Sequence, residues 1–508
     1  MRRSAHRTTL LCLLLLINVL TGCSNTKEEQ TGYTEKDTET ESIVDTEENT
    51  TDKMTILDME DAYEEILGFC TKEFIGNHVV DESFLNWIYA KYGETAIRNI
   101  QKEVKKDNPD VNLWYELTGE SIHVLWLDYC ASTGFQQYEL SNVYWKECAS
   151  EDKIVLDFTG DINFAEDWYT TEHMDAQANG IYDCISADLI EKMKAADVLL
   201  VNNEFVYSNR GTPLAGKDYT FRASPEREKL LAAFGTDIVS LANNHVYDYG
   251  EEALLDTLDT LEADDMPYVG AGRNIEEASQ PVYFVANGRK IAIVAATQIE
   301  RSTNFTKEAT EDSAGVLKTL DAAKFVKEIV AAKKNSDYVI VYVHWGTEGN
   351  ANYDSGQTSL AMQYVAAGAD AIIGSHTHCL QGISFVENVP VFYSLGNFWF
   401  STGTMNTGLA ELEIDEEGTL HMRYVPCLQK GIETSLVTDE DSRQEMLSYL
   451  NSISTDVVID ENGYVYNSAD GQNQEMEQEI EVLRKQYEKE YEDSQSQDLN
   501  SIGNLRTS

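Results

Sequence analysis

Apolar residues recur along this chain in two rhythms, and the change from one to the other divides it. Over residues 56–148 they fall at three- and four-residue steps, in MEDAYEEILGFCTKEF and ESFLNWIYAKYGETAIRNIQKEVKK, which predicts amphipathic helices. Asp81 ahead of Phe84 reads as an N-cap and Asp107-Asn108-Pro109 as a stop. From Lys153 onward, short continuous apolar runs alternate with helical segments. IVLDFT precedes the helical SADLIEKMKAA, DVLLVNNE precedes SPEREKLLAAFG, and DIVSLANNH precedes GEEALLDTLDTLEADD. Strand, helix, strand at this spacing predicts a mostly parallel sheet with helices on its faces. PVYFVA and KIAIVAATQ flank Asn287-Gly288, a strong hairpin signal, so antiparallel parts are expected as well. The alternation runs on through YVIVYVHWG, DAIIGSHTH and VPVFYSLGNFWF to Phe400. Beyond about Leu436 the signal fades into SRQEMLSYLNSIS and QEMEQEIEVLRKQYEKEYED, which read as charged helices, the second a solvated helix or tail.

The first residues follow neither rhythm. Arg2, Arg3 and Arg7 precede an apolar run over residues 10–20 and then Leu20-Thr21-Gly22-Cys23. A charged start, a short apolar stretch and small residues before a cysteine describe a secretory signal too short to span a bilayer comfortably. Leu-Thr-Gly-Cys resembles the lipobox of bacterial lipoproteins, which implies lipidation of Cys23 and anchoring on the outer face of the cytoplasmic membrane. Residues 24–55 carry ten acidic residues among Thr, Ser and Asn with few apolar ones, the composition of an unfolded, self-repelling tether. The expected division is therefore a signal peptide at 1–23, an acidic tether at 24–55, a helical domain at 56–150, an α/β domain at 153–433 and a helical, charged tail at 434–508.

Acid dominates throughout: 88 Asp and Glu against 38 Lys and Arg give a formal charge of -50. That argues against nucleic acid or anionic lipid as a partner, since both need a basic face. Once Cys12 and Cys23 are set aside, Cys70, Cys130, Cys148, Cys184, Cys379 and Cys427 are scattered without a metal-binding spacing. Mostly free thiols are expected, with Cys379 a small core residue despite its place beside His378.

The chemistry gathers where the apolar runs stop. Asp161 follows IVLDFTG, Glu204 follows VLLVNN, Asn244 and His245 follow IVSLAN, His344 follows VIVYV, and His376 and His378 follow AIIGS. In open α/β sheets the ligand site lies beyond the carboxyl ends of the strands, so these residues should share one crevice. An extended His-x-His would throw both imidazoles to one face. Carboxylates, an amide oxygen and imidazoles are the mix that binds divalent cations of the zinc, manganese or iron kind. Four of the nine histidines lie in these segments, each at a strand end.

GDINF, NNE, LANNHVYDYG, VHWG and GSHTH, followed by PVFYSLGNF, resemble the bacterial capsule-synthesis proteins of the poly-γ-glutamate CapA type. The resemblance covers residues 153–404 and extends toward 433. It implies a metallophosphoesterase-like mixed β-sheet sandwich flanked by helices, here preceded by a small helical domain. It also implies two divalent metal ions (Mn, Zn or Fe), with Asp161, Glu204, Asn244, His344, His376 and His378 as ligands and His245 as general acid or transition-state donor. Asp248, three residues after His245, would orient that imidazole or else cap the helix beginning near Gly250. Arg222 would meet an anionic substrate or sit in a surface salt bridge, and Asn397 would line the crevice or serve a tight turn. Two departures stand out: Asp161-Ile162-Asn163 puts an amide where phosphoesterases carry a histidine, and Glu166 stands where many family members carry arginine.

The expected function is an extracytoplasmic, lipid-anchored, metal-dependent hydrolase of phosphoester type. Its partners would be an envelope polymer such as poly-γ-glutamate or a phosphoester, and the membrane proteins of capsule synthesis. The alternative is a non-catalytic envelope module that binds or exports an anionic polymer, and the Asn163 and Glu166 departures favour it. A solute-binding lipoprotein is disfavoured, because such a protein needs no metal set.

Overall fold

A computed structural model describes residues 62–63, 65–66, 82–106, 118, 125, 129, 142–300, 305–469 and 474–505. The expected signal peptide, the tether and Cys23 lie outside the described residues, as do Cys70 and Cys130.

Two sheets form the body of the protein. The first contains ten strands; its central part is the parallel run Lys153–Ile162, Val198–Asn203, Ile238–Ser240 and Tyr268–Val269. On its other side Thr404–Asp415 and Leu420–Lys430 continue the sheet antiparallel. The second contains seven strands, with Arg289–Thr297, Tyr338–His344, Ala371–Ser375 and Val389–Phe392 parallel at its centre. The Asn287-Gly288 hairpin forms as expected, joining Val282–Ala286 to Arg289–Thr297 with φ of 45° and 73° at the turn residues.

Alternation within strands that are buried on both faces explains the layering. In Arg289–Thr297, Ile291, Ile293 and Ala295 point into a core shared with Leu156, Phe158 and Leu412 of the first sheet. Their neighbours Ala292, Val294 and Ala296 point outward, into a second core with Phe325 and Tyr364 from the helices Ala323–Lys334 and Ser355–Ala367. The outer face of the first sheet is covered by Ala187–Lys194 and Glu251–Ala263 through Leu189, Met193, Leu254 and Leu258. The fold is therefore mixed α/β, two sheets face to face with helices on both outer faces. No helix of the described residues is long and apolar enough to cross a membrane.

Three boundaries differ from expectation. Helices Glu82–Tyr92 and Glu94–Val104 do pack a small core of their own, around Phe84, Ile88, Ile97 and Ile100. The end of the expected helical domain, however, is the strand Val143–Lys146, which runs parallel to Val282–Ala286 in the second sheet. The α/β unit does not stop at 433 either: Val457–Ile459 and Tyr464–Asn467 extend the first sheet from Leu420–Lys430. Finally, helix Gln474–Leu505 is no free tail, because Ile480, Met476, Leu483, Tyr487 and Tyr491 pack onto the core under Ala323–Lys334 and Ser355–Ala367. Its charge hides an apolar stripe at helical spacing.

Candidate metal centre

The central parallel strands of both sheets end at one edge of the sandwich, and both sheets deliver side chains there. Asp161 closes Lys153–Ile162, Glu204 follows Val198–Asn203, and Asn244 and His245 lie in the loop after Ile238–Ser240. From the second sheet, His344 is the last residue of Tyr338–His344, and His376 and His378 follow Ala371–Ser375. Close approach of chains is built in at Gly160, where a Cβ would stand 1.9 Å from the Gly396 carbonyl oxygen. Only glycine lets the Asp161 strand pair with Asn397–Trp399.

Ligand atoms of these residues fall into two overlapping groups. Glu204, His344 and His376 form one; Asp161, Glu204 and His378 form the other, each with its atoms within 4.8 Å of one another. Glu204 belongs to both. The two imidazoles of the His-x-His segment thus serve different groups, with ring centroids 6.2 Å apart. This corrects the expectation of an extended pair: His376 and His378 lie beyond the strand with φ of 93° and 56°. Left-handed backbone at non-glycine residues costs about 1–3 kcal/mol each, the kind of strain that persists at functional sites.

The polar bookkeeping of the cluster is incomplete without a cation. Among the described residues nothing hydrogen-bonds either Glu204 oxygen or Asp161 Oδ2, and all three are buried. Asp161 Oδ1 accepts from Asn202 Nδ2 at 2.7 Å, and His378 Nδ1 stands 3.2 Å from Oδ2 while pairing with Asn397 Oδ1 at 2.7 Å. Burial, and then the neighbouring Asp161, push the Glu204 carboxyl well above its ordinary value. Burial and the surrounding histidines press His344 well below its own, so it is a neutral ligand-type imidazole. Burial also opposes charge on His378, but the adjacent Asp161 carboxylate and the Asn397 amide oxygen win and its pKa is raised. Two carboxylates left open among imidazoles fit divalent cations by donor chemistry and by charge.

Residues 155–402 match the family model described as "Bacterial capsule synthesis protein PGA_cap". The chain carries a PGA_cap domain. It is 32% identical over 250 residues to capsule biosynthesis protein CapA of Bacillus anthracis, covering 46% of this chain and 60% of the relative. To the PGA biosynthesis protein CapA of Bacillus subtilis it is 33% identical over 216 residues, covering 42% and 56%. The chain thus spans a little over half the length of these curated relatives. Among solved structures, a phosphatase of Mycoplasma pneumoniae aligns over 55% of this chain and 95% of its own, at 15% identity and a TM-score of 0.36.

Within the PGA_cap domain a second set of residues holds the ligands in place. His344 pairs through Nδ1 with Ser375 Oγ at 2.9 Å, and its Nε2 lies 2.8 Å from Asn244 Oδ1 and 3.1 Å from His376 Nδ1. Asn243 donates to Asn202 Oδ1 and to the Asn203 carbonyl while its own Oδ1 accepts from the His245 and Val246 amides. His245 lies beside the ligands, Nε2 4.0 Å from Glu204 Oε1, and its Nδ1 is 2.7 Å from Asp248 Oδ2. Asp248 also accepts from the Phe221 amide at 2.7 Å and from Lys217 Nζ at 2.6 Å. The helix Glu251–Ala263 has Gly250 at its N-cap with no side-chain bond, so orientation of His245, not capping, is what Asp248 does. Burial lowers the His245 pKa, with Asp248 opposing.

Other sequence-derived residues are committed elsewhere. Asn163 Oδ1 accepts from the Ala165 amide at 2.8 Å, so its oxygen is spent on the turn, and its Nδ2 is buried without a partner among the described residues. Arg222 donates to the Arg210 carbonyl at 3.1 Å and stacks over Tyr249 at 4.2 Å, which ties it to its own loop. Glu166 accepts from Arg227 at 2.7 Å and 2.6 Å, a charge pair that commits both side chains. Cys379 belongs to neither ligand group; its thiol, pushed up by burial, donates weakly to Thr377 Oγ1 at 3.7 Å.

Sequence reasoning missed Lys217, Asn202, Asn243 and Ser375. The paired amides Asn202-Asn203 and Asn243-Asn244, each ending an apolar run, were a readable signal for two of them. Lys217 carries no such signal, being a lone lysine in a polar loop.

Proposed function

We propose that this protein is a metal-dependent hydrolase of phosphoester type that serves capsule or related envelope-polymer synthesis. Its place would be the outer face of the cytoplasmic membrane, held by lipid on Cys23, with an envelope polymer or phosphoester as substrate and capsule-synthesis membrane proteins as partners. The relatives, named as capsule and PGA biosynthesis proteins, support the setting. The chemistry rests on one observation: Glu204 is shared by two ligand groups and fully buried, with neither oxygen hydrogen-bonded among the described residues.

Glu204, His344, His376 and Asn244 would hold one divalent cation, and Asp161, Glu204 and His378 another. Such ions supply Lewis-acid stabilisation of a phosphoryl oxygen and acidify water. The chain's own contribution is the placing of a proton. Asp248 accepts from His245 Nδ1, which fixes the tautomer and leaves Nε2 as a lone pair facing the cluster. Lys217 and the Phe221 amide keep Asp248 an acceptor. In the resting site His245 therefore takes a proton at Nε2 before it can give one, which makes it a base first and an acid second.

The alternative, a non-catalytic module for an anionic polymer, draws support from Asn163, whose amide oxygen is occupied by the turn. Metal content by mass spectrometry, beside hydrolysis of an aryl phosphate with and without manganese, decides between them. Stoichiometric metal and turnover that falls by at least about 100-fold in both His376→Ala and Glu204→Ala are the expected result. Metal without turnover would favour the binding module, and no metal would overturn the site.

A further inference from the structure

An unbroken line of aromatic rings leads from the two imidazoles at the cluster to the protein surface. Phe221 lies 4.5 Å from His245 and Phe400 4.7 Å from His378, and these two rings meet edge to face at 5.4 Å. Trp168 stands over both, 4.9 Å from Phe221 and 6.0 Å from Phe400, with its indole N–H donated to the Phe400 carbonyl. Beyond Trp168 come Tyr169 at 5.1 Å and Tyr219 at 6.2 Å. The inner rings are buried, but Tyr169 is 58% and Tyr219 62% exposed. Folding alone does not account for two large rings left in water at the end of such a line. The loop that carries Tyr219 also carries Lys217 to Asp248, so Tyr219 is tied to the machinery around His245.

We infer that this wall is a binding subsite for the sugar rings of a neutral glycan, stacked on Tyr219, Tyr169 and Trp168 and leading to the cluster. It deepens the hydrolase reading, and rests on it for the chemistry at the inner end. Tyrosine and tryptophan faces offer flat apolar area with little entropy to lose, which suits the apolar face of a pyranose. Charge selects among flat ligands. Exposed Asp167 and Asp218 flank Trp168 and Tyr219 in the chain. The nearby cations are spent: Arg227 on Glu166 and Asp175, Arg222 over Tyr249, Lys217 on Asp248. Carboxylates accept hydrogen bonds from sugar hydroxyls, whereas a polyglutamate chain or a nucleotide would meet like charge.

The test reads binding, not turnover. Saturation-transfer NMR on the chelated full-length protein would use an N-acetylglucosamine tetramer, with AMP and a glutamate decamer as comparators. We expect transfer to the sugar ring protons, affinity at least tenfold weaker in the Tyr169→Ala/Tyr219→Ala double variant, and affinity kept in Tyr169→Phe/Tyr219→Phe. Tyr466→Ala, at an exposed tyrosine outside the wall, should bind as wild type. Absence of transfer, stronger transfer to AMP or the glutamate decamer, or equal loss in the phenylalanine and alanine variants would overturn the subsite. Sugar binding that depends on these rings, in a protein that never turns over aryl phosphate, would leave the subsite standing and remove the hydrolase.

Discussion

Strand Lys153–Ile162 carries two buried aspartates, and each sits in a pair of carboxylates that is neutralised in a different way. Asp157 shares Lys192 with Glu411, at 2.7 Å and 2.6 Å, and Arg423 reaches Glu411 at 3.1 Å. Those two acids are matched by two fixed bases. Asp161 and Glu204 meet imidazoles and amides; among the described residues no lysine or arginine bonds either of them, and Lys217 is taken by Asp248. Burial of carboxylates is common to both clusters, so burial by itself identifies nothing. What separates a structural cluster from a site is whether the counter-charge is part of the chain or must come from solution.

The sharpest way to break this comparison is to remove one charge from each cluster and measure urea unfolding of the chelated protein. Lys192→Met strands the buried Asp157, leaves Glu411 with Arg423 alone, and should cost about 3–5 kcal/mol. Glu204→Gln relieves repulsion with Asp161 and should stabilise the same protein by about 1–2 kcal/mol. Opposite signs would support the reading; equal losses would mean that the Glu204 cluster is structural too.

A smaller effect follows on adding metal. Manganese at about 100 times its dissociation constant should stabilise the wild type by about 2.7 kcal/mol and raise its melting temperature. Glu204→Gln should lose most of that gain, and Lys192→Met, measured as a gain over its own lower baseline, should keep it. Calorimetric scans of the three proteins with and without manganese check this.

The same contrast bears on how much of the molecule its sequence discloses. The ligands were legible because each ends an apolar run, and a strand end is a local feature. Asp157 was not singled out, since it lies inside IVLDFT and its partners Lys192, Glu411 and Arg423 come from distant strands and a helix. Lys217 escaped for the same reason: its role exists only through Asp248, brought near by a loop. The mixed α/β pattern and the Asn287-Gly288 turn could be read from period and turn chemistry. The strand Val143–Lys146, paired with the remote Val282–Ala286, and the hairpin of Val457–Ile459 with Tyr464–Asn467, docked on the distant Leu420–Lys430, could not, being three or four residues long. The apolar stripe of Gln474–Leu505 was visible at helical spacing, but its charge outweighed it.

The finest distinction between the clusters lies in how each responds to pH. Burial pushes Asp157 up to about 7 even with Lys192 beside it. Burial opposes ionisation of Glu411 as well, yet Lys192 and Arg423 together hold it below its ordinary value. An unfolded aspartate titrates near 3.9, so between about pH 4 and 7 the native protein holds a proton on Asp157 that the unfolded chain lacks. Stability must then fall as pH rises through that window, by at most about 1.4 kcal/mol per unit for one proton. Glu411 acts with the opposite sign, but only below about pH 4.5, where its unfolded form takes up its proton. Glu204, raised by burial and by Asp161, tilts the chelated protein in the same direction as Asp157. Metal separates the two. Saturating manganese should remove the Glu204 share of the slope, because a bound cation keeps that carboxylate ionised, and leave the Asp157 share, which only Asp157→Asn removes. Urea midpoints at about pH 5.5 and 6.5, for wild type and Asp157→Asn with and without manganese, measure both shares. If manganese flattened the wild-type slope entirely, the Asp157 cluster would not be the closed, metal-independent one described above.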